Sequence, residues 1–134
     1  MTDRELLELA EKARERSYSP YSGFAVGAAL LCRDGTVFTG ANIENASFSP
    51  TVCAERVAIF SAVHAGKRDF CAVAISGGKT GEKGGFCPPC GVCRQVMTEF
   101  CGGDFRIILG DGKEIKTYTL ADLMPLSFTK DDMR

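Results

Sequence analysis

Two short segments, Cys53-Ala54-Glu55 and Pro89-Cys90-Gly91-Val92-Cys93, constrain the fold of this chain more than anything else in it. Together they supply three thiols and a carboxylate, and three thiols can share one soft divalent ion, most economically zinc. Two stretches far apart in sequence then have to meet. Each reads as the first turn of a helix that follows a strand, so both strands must leave one sheet at the same edge. Helix N-termini present unpaired N–H groups and the positive dipole end, which favour thiolate over thiol. The i, i+3 spacing puts Cys90 and Cys93 on one helical face. Three protein ligands leave one coordination position for water, and a carboxylate beside that water can move its protons.

The rest of the chain supplies the elements. Thr2 and Glu5 spell a capping box for a helix over about residues 3–16, with Leu6, Leu7, Leu9, Ala10 and Ala13 as its apolar stripe. Residues 24–32 form an apolar run without alternation, which reads as a strand covered on both faces. The turn Arg33-Asp34-Gly35-Thr36 returns the chain as a second strand over 37–46, making an antiparallel hairpin. A helix over 51–65 ends at Gly66. A strand over 70–76 runs into a glycine-rich loop, and a helix over 90–101 follows. Strands over 104–109 and 114–119, a short helix over 120–124 and a loose polar tail complete the chain. The order αββαβαββα predicts a three-layer α/β/α sandwich around a mixed five-stranded sheet.

At 134 residues the chain is expected to be a single domain, 1–134. A formal net charge of -1 with interleaved signs leaves no basic stripe, so a nucleic acid is not an expected partner. The opening Met1-Thr2-Asp3-Arg4-Glu5 is no signal peptide, and no apolar run is long enough to span a bilayer. Seven cysteines without a secretory context favour reduced thiols and metal ligation, so a cytoplasmic location is expected. Between Arg56 and Lys67 the second helix carries no Asp, Glu, Lys or Arg. Such an apolar girth calls for burial on several sides and points to an oligomer.

A Cys- or His-x-Glu segment followed by Pro-Cys-x-x-Cys is the signature of zinc deaminases. The chain resembles the small, homotetrameric cytidine deaminases that act on free nucleosides, over about residues 18–128. The segments that carry this are Tyr21-Ser22-Gly23-Phe24-Ala25-Val26-Gly27, Gly40-Ala41-Asn42-Ile43-Glu44-Asn45-Ala46, Thr51-Val52-Cys53-Ala54-Glu55-Arg56 and Pro89-Cys90-Gly91-Val92-Cys93-Arg94-Gln95-Val96. The resemblance implies one Zn²⁺ per subunit on Cys53, Cys90 and Cys93, with Glu55 as proton shuttle. It implies that Phe24 packs on the base, that Asn42 and Glu44 hold the ribose, and that backbone groups near Ala54 orient the 4-amino group. The reaction implied is hydrolytic deamination of cytidine and 2′-deoxycytidine by zinc-activated water, a step of pyrimidine salvage. A homotetramer with shared active sites is implied as well, with Phe128 as the aromatic that a neighbour inserts over the base. Beside the ligands, Arg56 is expected to donate hydrogen bonds to ligand sulfur and offset the excess negative charge. Two positions depart from the family pattern. Phe48 stands where many relatives have Tyr, and Pro88 replaces a common Ser, with Cys87 an extra thiol beside the site.

Other readings stay open at this point. A related deaminase could act on a cytosine-containing nucleoside antibiotic. A thiol oxidoreductase could use Cys87-Pro-Pro-Cys90 or Cys90-Gly-Val-Cys93, but it gives Cys53-Ala-Glu55 no role. A structural zinc module closed by Cys87 would have no use for Glu55. Cys32, Cys71 and Cys101 read as spectator thiols and His64 as structural. Gly78-Lys79-Thr80 is not a phosphate loop, because Val73 stands where its first glycine is required.

Overall fold

The computed structural model describes residues 1–133. The chain begins in helix α1 (Asp3–Ala13). Its start is set locally, since Glu5 N–H donates to Thr2 Oγ1 at 3.1 Å and Thr2 N–H donates to Glu5 Oε1 at 3.0 Å. A 3₁₀ turn (Arg14–Arg16) follows. Then come β1 (Phe24–Cys32), β2 (Val37–Ala41), α2 (Ala54–His64), β3 (Phe70–Lys79), α3 (Gly91–Phe100), β4 (Arg106–Gly110), β5 (Ile115–Thr119) and α4 (Leu120–Leu123). The strands form one five-stranded sheet of order β2-β1-β3-β4-β5. β3 and β4 pair parallel, and the other neighbours antiparallel.

This topology brings the thiols together. Two reversals, β2 to β1 and β1 to β3, leave β2 and β3 running the same way. Because α2 follows β2 and α3 follows β3, both helix N-termini emerge at one edge of the sheet.

Each face of the sheet has its own core, as the two-residue period of a strand requires. On one face Leu6, Leu7 and Ala10 of α1 pack on Ala29, Ala72, Ala74 and Ile108. On the other, Ala58, Ile59, Ala62 and Met97 of α2 and α3 pack on Ala28, Leu30, Val73, Ile75 and Ile107. The helices sit close. A Cβ on Gly40 would lie 2.5 Å from the Ala54 carbonyl oxygen, and one on Gly27 would lie 2.8 Å from the Arg14 nitrogen.

Arg14, buried at the end of α1, ties the site's supports to the far layer. Its Nε donates to Ala25 O at 2.8 Å, Nη1 to Glu82 O at 3.0 Å and Nη2 to Lys79 O at 3.2 Å. Glu11 accepts from the Arg14 guanidinium, from Ser76 Oγ and from Gly84 N–H. The start of β1 and the loop that leads to the second thiol segment are therefore pinned to one helix.

Several boundaries differ from those expected. β2 stops at Ala41, and residues 42–46 turn away: Ile43 bridges to Tyr18 and Val52, and Glu44 N–H donates to Tyr18 O at 2.8 Å. α2 begins at Ala54, because Val52 is still engaged with Ile43. Cys53 and Cys90 are thus N-cap residues and not first-turn residues, whereas Cys93 does lie in the first turn of α3. Gly77 and Gly78, expected in a loop, extend β3 and pair with Val26 and Ala25. The tail, expected loose, makes a 3₁₀ turn over Lys130–Met133, with Thr129 N–H donating to Asp132 Oδ2 at 2.8 Å. Among the described residues no helix is long and apolar enough to cross a membrane.

Candidate metal and substrate site

At the shared edge the ligand atoms of Cys53, Cys90 and Cys93 all lie within 4.8 Å of one another. The Cys53 and Cys90 sulfurs are 3.7 Å apart. A tetrahedral zinc with Zn–S bonds of about 2.3 Å sets its sulfurs ~3.8 Å apart, so this spacing fits that ion. Cys87 does not join the group, which argues against a closed four-sulfur module. Burial pushes the Cys87 thiol up to about 11, and a neutral thiol is a poor nucleophile for disulfide exchange.

The donor set also favours a cation. Cys53 is held low by a hydrogen bond from Cys93 and by the Arg56 guanidinium. Cys93, the donor of that bond, is pushed up by it and by burial. Thiols packed this closely are relieved by a shared divalent cation, which binds them as thiolates. Arg56 Nη2 donates to Cys53 Sγ at 3.5 Å, while its buried Nε has no partner among the described residues. Three thiolates, one divalent cation and one guanidinium sum to zero charge.

Glu55 is 3% exposed, on the first turn of α2. Burial drives its carboxyl up to about 7. A carboxyl in that range exchanges protons readily near neutrality.

Glu55, Cys53 and Cys90 border a cavity of about 300 Å³ whose other walls include Phe24, Asn42, Glu44 and Ala54. That volume is at the small end for small-molecule sites. Phe24 opens β1 and is 41% exposed, so its ring faces this space. Asn42 is locked in place: its Nδ2 donates to Phe24 O at 2.9 Å, and its Oδ1 accepts from Val26 N–H at 2.9 Å and Ser17 Oγ at 2.6 Å. Glu44 Oε1 accepts from the N–H groups of Tyr21 at 3.0 Å and Ser22 at 3.1 Å. Its Oε2 accepts from Ser22 Oγ, and these bonds hold its carboxylate below the usual range. A larger groove of about 540 Å³ runs along α1 past Glu8, Lys12 and Glu15, and no cysteine lines it.

Phe128 is not brought into this cavity by its own chain. It is 60% exposed, with its carbonyl held by Gln95 Nε2 at 2.8 Å. Phe48 also stays outside the cavity and lies exposed. Sequence reasoning did not assign Ser17 or Ser22, the residues that fix Asn42 and Glu44. Ser22 stands inside the segment that carries the resemblance, two residues before Phe24. Ser17 leaves no such signal, since its partner is distant in sequence.

The family described as the cytidine and deoxycytidylate deaminase zinc-binding region matches residues 1–109. A cytidine deaminase of Halalkalibacterium halodurans is 48% identical over 133 residues, covering 98% of this chain and 98% of that protein. A blasticidin-S deaminase of Bacillus cereus is 35% identical over 131 residues, covering 93% of each. The crystal structure of a cytidine deaminase from Burkholderia pseudomallei shares the fold with a TM-score of 0.87 at 44% identity. It covers 96% of this chain and 100% of that one.

Proposed function

The chain belongs to the cytidine and deoxycytidylate deaminase family, and from that premise we propose that it hydrolyses cytidine and 2′-deoxycytidine to uridine and 2′-deoxyuridine with release of ammonia. One observation carries the reading: a group of three cysteine sulfurs, two of whose residues line a cavity together with a buried carboxylate, an aromatic ring and polar side chains. Cys53, Cys90 and Cys93 would hold the zinc, which would supply a water acidic enough to attack near neutral pH.

Glu55 takes a proton from the attacking water and delivers it to ring N3, which makes C4 electrophilic. Addition of the oxygen gives a tetrahedral C4. Glu55 then passes the second proton of that water to the amine, the C4–N bond breaks, and ammonia leaves. The same carboxyl acts first as base and then as acid, and its burial excludes competing water. Phe24 supplies a flat apolar face for the base. The N-terminal backbone of α2 at Ala54 orients the 4-amino group. Asn42 and Glu44 address the sugar, and the Glu44 carboxylate, already ionised by its hydrogen bonds, repels a 5′-phosphate. Arg56 acts on the ligand sulfurs.

A homotetramer with active sites completed across subunits fits the uncovered surface. Phe60 on α2 is 46% exposed, and Leu126 and Phe128 project from the C-terminal segment. In that assembly Phe128 closes a neighbour's cavity. The seven free cysteines fit the reducing cytoplasm, and the reaction fits pyrimidine salvage.

An absorbance assay of cytidine, 2′-deoxycytidine, CMP and free cytosine tests the reading. Both nucleosides are expected to turn over, with CMP and the free base at least ~10²-fold slower in kcat/KM. Equal turnover of CMP would remove Glu44 from its role. The blasticidin-S relative makes that antibiotic the informative fifth substrate. A second prediction concerns Arg56→Gln, expected to weaken zinc retention about 10- to 100-fold in a chelator competition. Unchanged retention would show that the guanidinium does not tune the sulfurs.

A further inference from the structure

Cys87 stands in the wall of the cavity, yet the steps above give it nothing to do. It is not part of the three-sulfur group. Its position is fixed from behind by Gly77 of β3. A Cβ on Gly77 would fall 2.7 Å from Cys87 Sγ, 2.8 Å from Cys87 Cβ and 3.1 Å from Phe24 Cε2. Real Cβ atoms do not approach other atoms as closely as the two Cys87 distances, so the bare backbone of Gly77 is what lets Cys87 seat there, and the Phe24 ring packs tightly against the same spot. Gly77, Cys87 and Phe24 are therefore one packed unit, and two of its members face the cavity.

We propose that Gly77 and Cys87 are a size-matched pair that sets the depth of the cavity beside the Phe24 ring and so limits which substituents on a cytosine ring are accepted. The inference rests on the cytidine deaminase reading and specifies its substrate range. Cys87 lies three residues before the Cys90 ligand, and Cys87, Pro88, Cys90 and Cys53 all line the cavity. In the proposed reaction C4 is attacked beside the ligand thiols, so the ring atoms nearest Cys87 are C4 and its neighbours. Of these, C5 and the 4-amino nitrogen carry replaceable hydrogens. A side chain in that wall discriminates by volume, and one methylene in an apolar pocket is worth about 10- to 200-fold.

The test compares cytidine with 5-methylcytidine, 5-bromocytidine and N4-methylcytidine on the zinc-loaded wild-type chain and on Cys87→Ala, Gly77→Ala and Gly77→Ala/Cys87→Gly. Both kcat/KM and equilibrium binding are read. Cys87→Ala is expected to raise acceptance of at least one substituted ring relative to cytidine by about tenfold or more. Gly77→Ala is expected to raise KM for cytidine about tenfold with zinc content unchanged, because Phe24 and Cys87 are displaced into the cavity. The double variant, which removes the side chain that the new methyl strikes, is expected to recover most of that loss. An unchanged binding ratio in Cys87→Ala, or no recovery in the double variant, would overturn the pairing. Absence of cytidine turnover by the wild-type chain would instead strike the proposed reaction, while the binding ratios would still decide the pair.

Discussion

Glu55→Gln is expected to keep its zinc and its fold while kcat for cytidine falls by about 10³-fold or more. Each proton transfer by a positioned side chain contributes about 10²- to 10⁴-fold, and Glu55 serves both the attack and the departure of the amine. The amide has the shape of the carboxyl and can still donate a hydrogen bond, but it cannot accept and release a proton. Because Glu55 is almost fully buried and its carboxyl is pushed up to about 7, the neutral amide imposes no new desolvation cost. Thermal unfolding of the variant should therefore match that of the parent within a few degrees. A metal assay separates the readings: loss of activity together with zinc would make Glu55 a support for the ligands and not the proton carrier.

Gly40→Ala is the second large effect, on folding and on the metal together. The added methyl would lie 2.5 Å from Ala54 O and 2.6 Å from Ala58 N, with Val57 Cβ at 3.0 Å. Two of those neighbours are helix backbone and cannot rotate away, so α2 must move as a body and carry the Cys53 cap and Glu55 with it. Overpacking costs typically 1–3 kcal/mol and more where relaxation is blocked, and we expect about 3 kcal/mol, with weaker zinc retention. Gly85 is the control: an added Cβ there would meet only Asp111 Cβ, at 3.8 Å. Gly85→Ala should leave both denaturation and zinc near the parent values. A Gly40→Ala chain as stable as the parent would show that the crossing of α2 over β2 is looser than described.

The parts of the fold legible in the sequence are those whose cause is local. Thr2 and Glu5 announce the first helix because the bonds that cap it lie within one turn. The apolar run 24–32 announces a covered strand because both of its faces are buried. The two thiol segments announce their own meeting, because a shared ion needs both helix starts at one edge. What escaped reading depends on contacts between distant residues. Asn42 and Glu44 lie past the end of β2 because their side chains are claimed by Ser17, Ser22 and the backbone of 21–26, so the chain leaves the sheet there. Gly77 and Gly78 look like loop residues, yet β1 offers a pairing edge and the loop behind them packs where side chains would stand. Cys53 looks like a first-turn residue, but Val52 is held by Ile43 and delays the helix start from 51 to Ala54.

Zinc-edge X-ray absorption on protein purified without added metal tests the central claim most directly. We expect one zinc per chain, with three sulfurs at about 2.3 Å and one oxygen or nitrogen at about 2.0 Å. A shell of four sulfurs, with Cys87 enrolled, or protein that folds and deaminates cytidine without zinc, would contradict it.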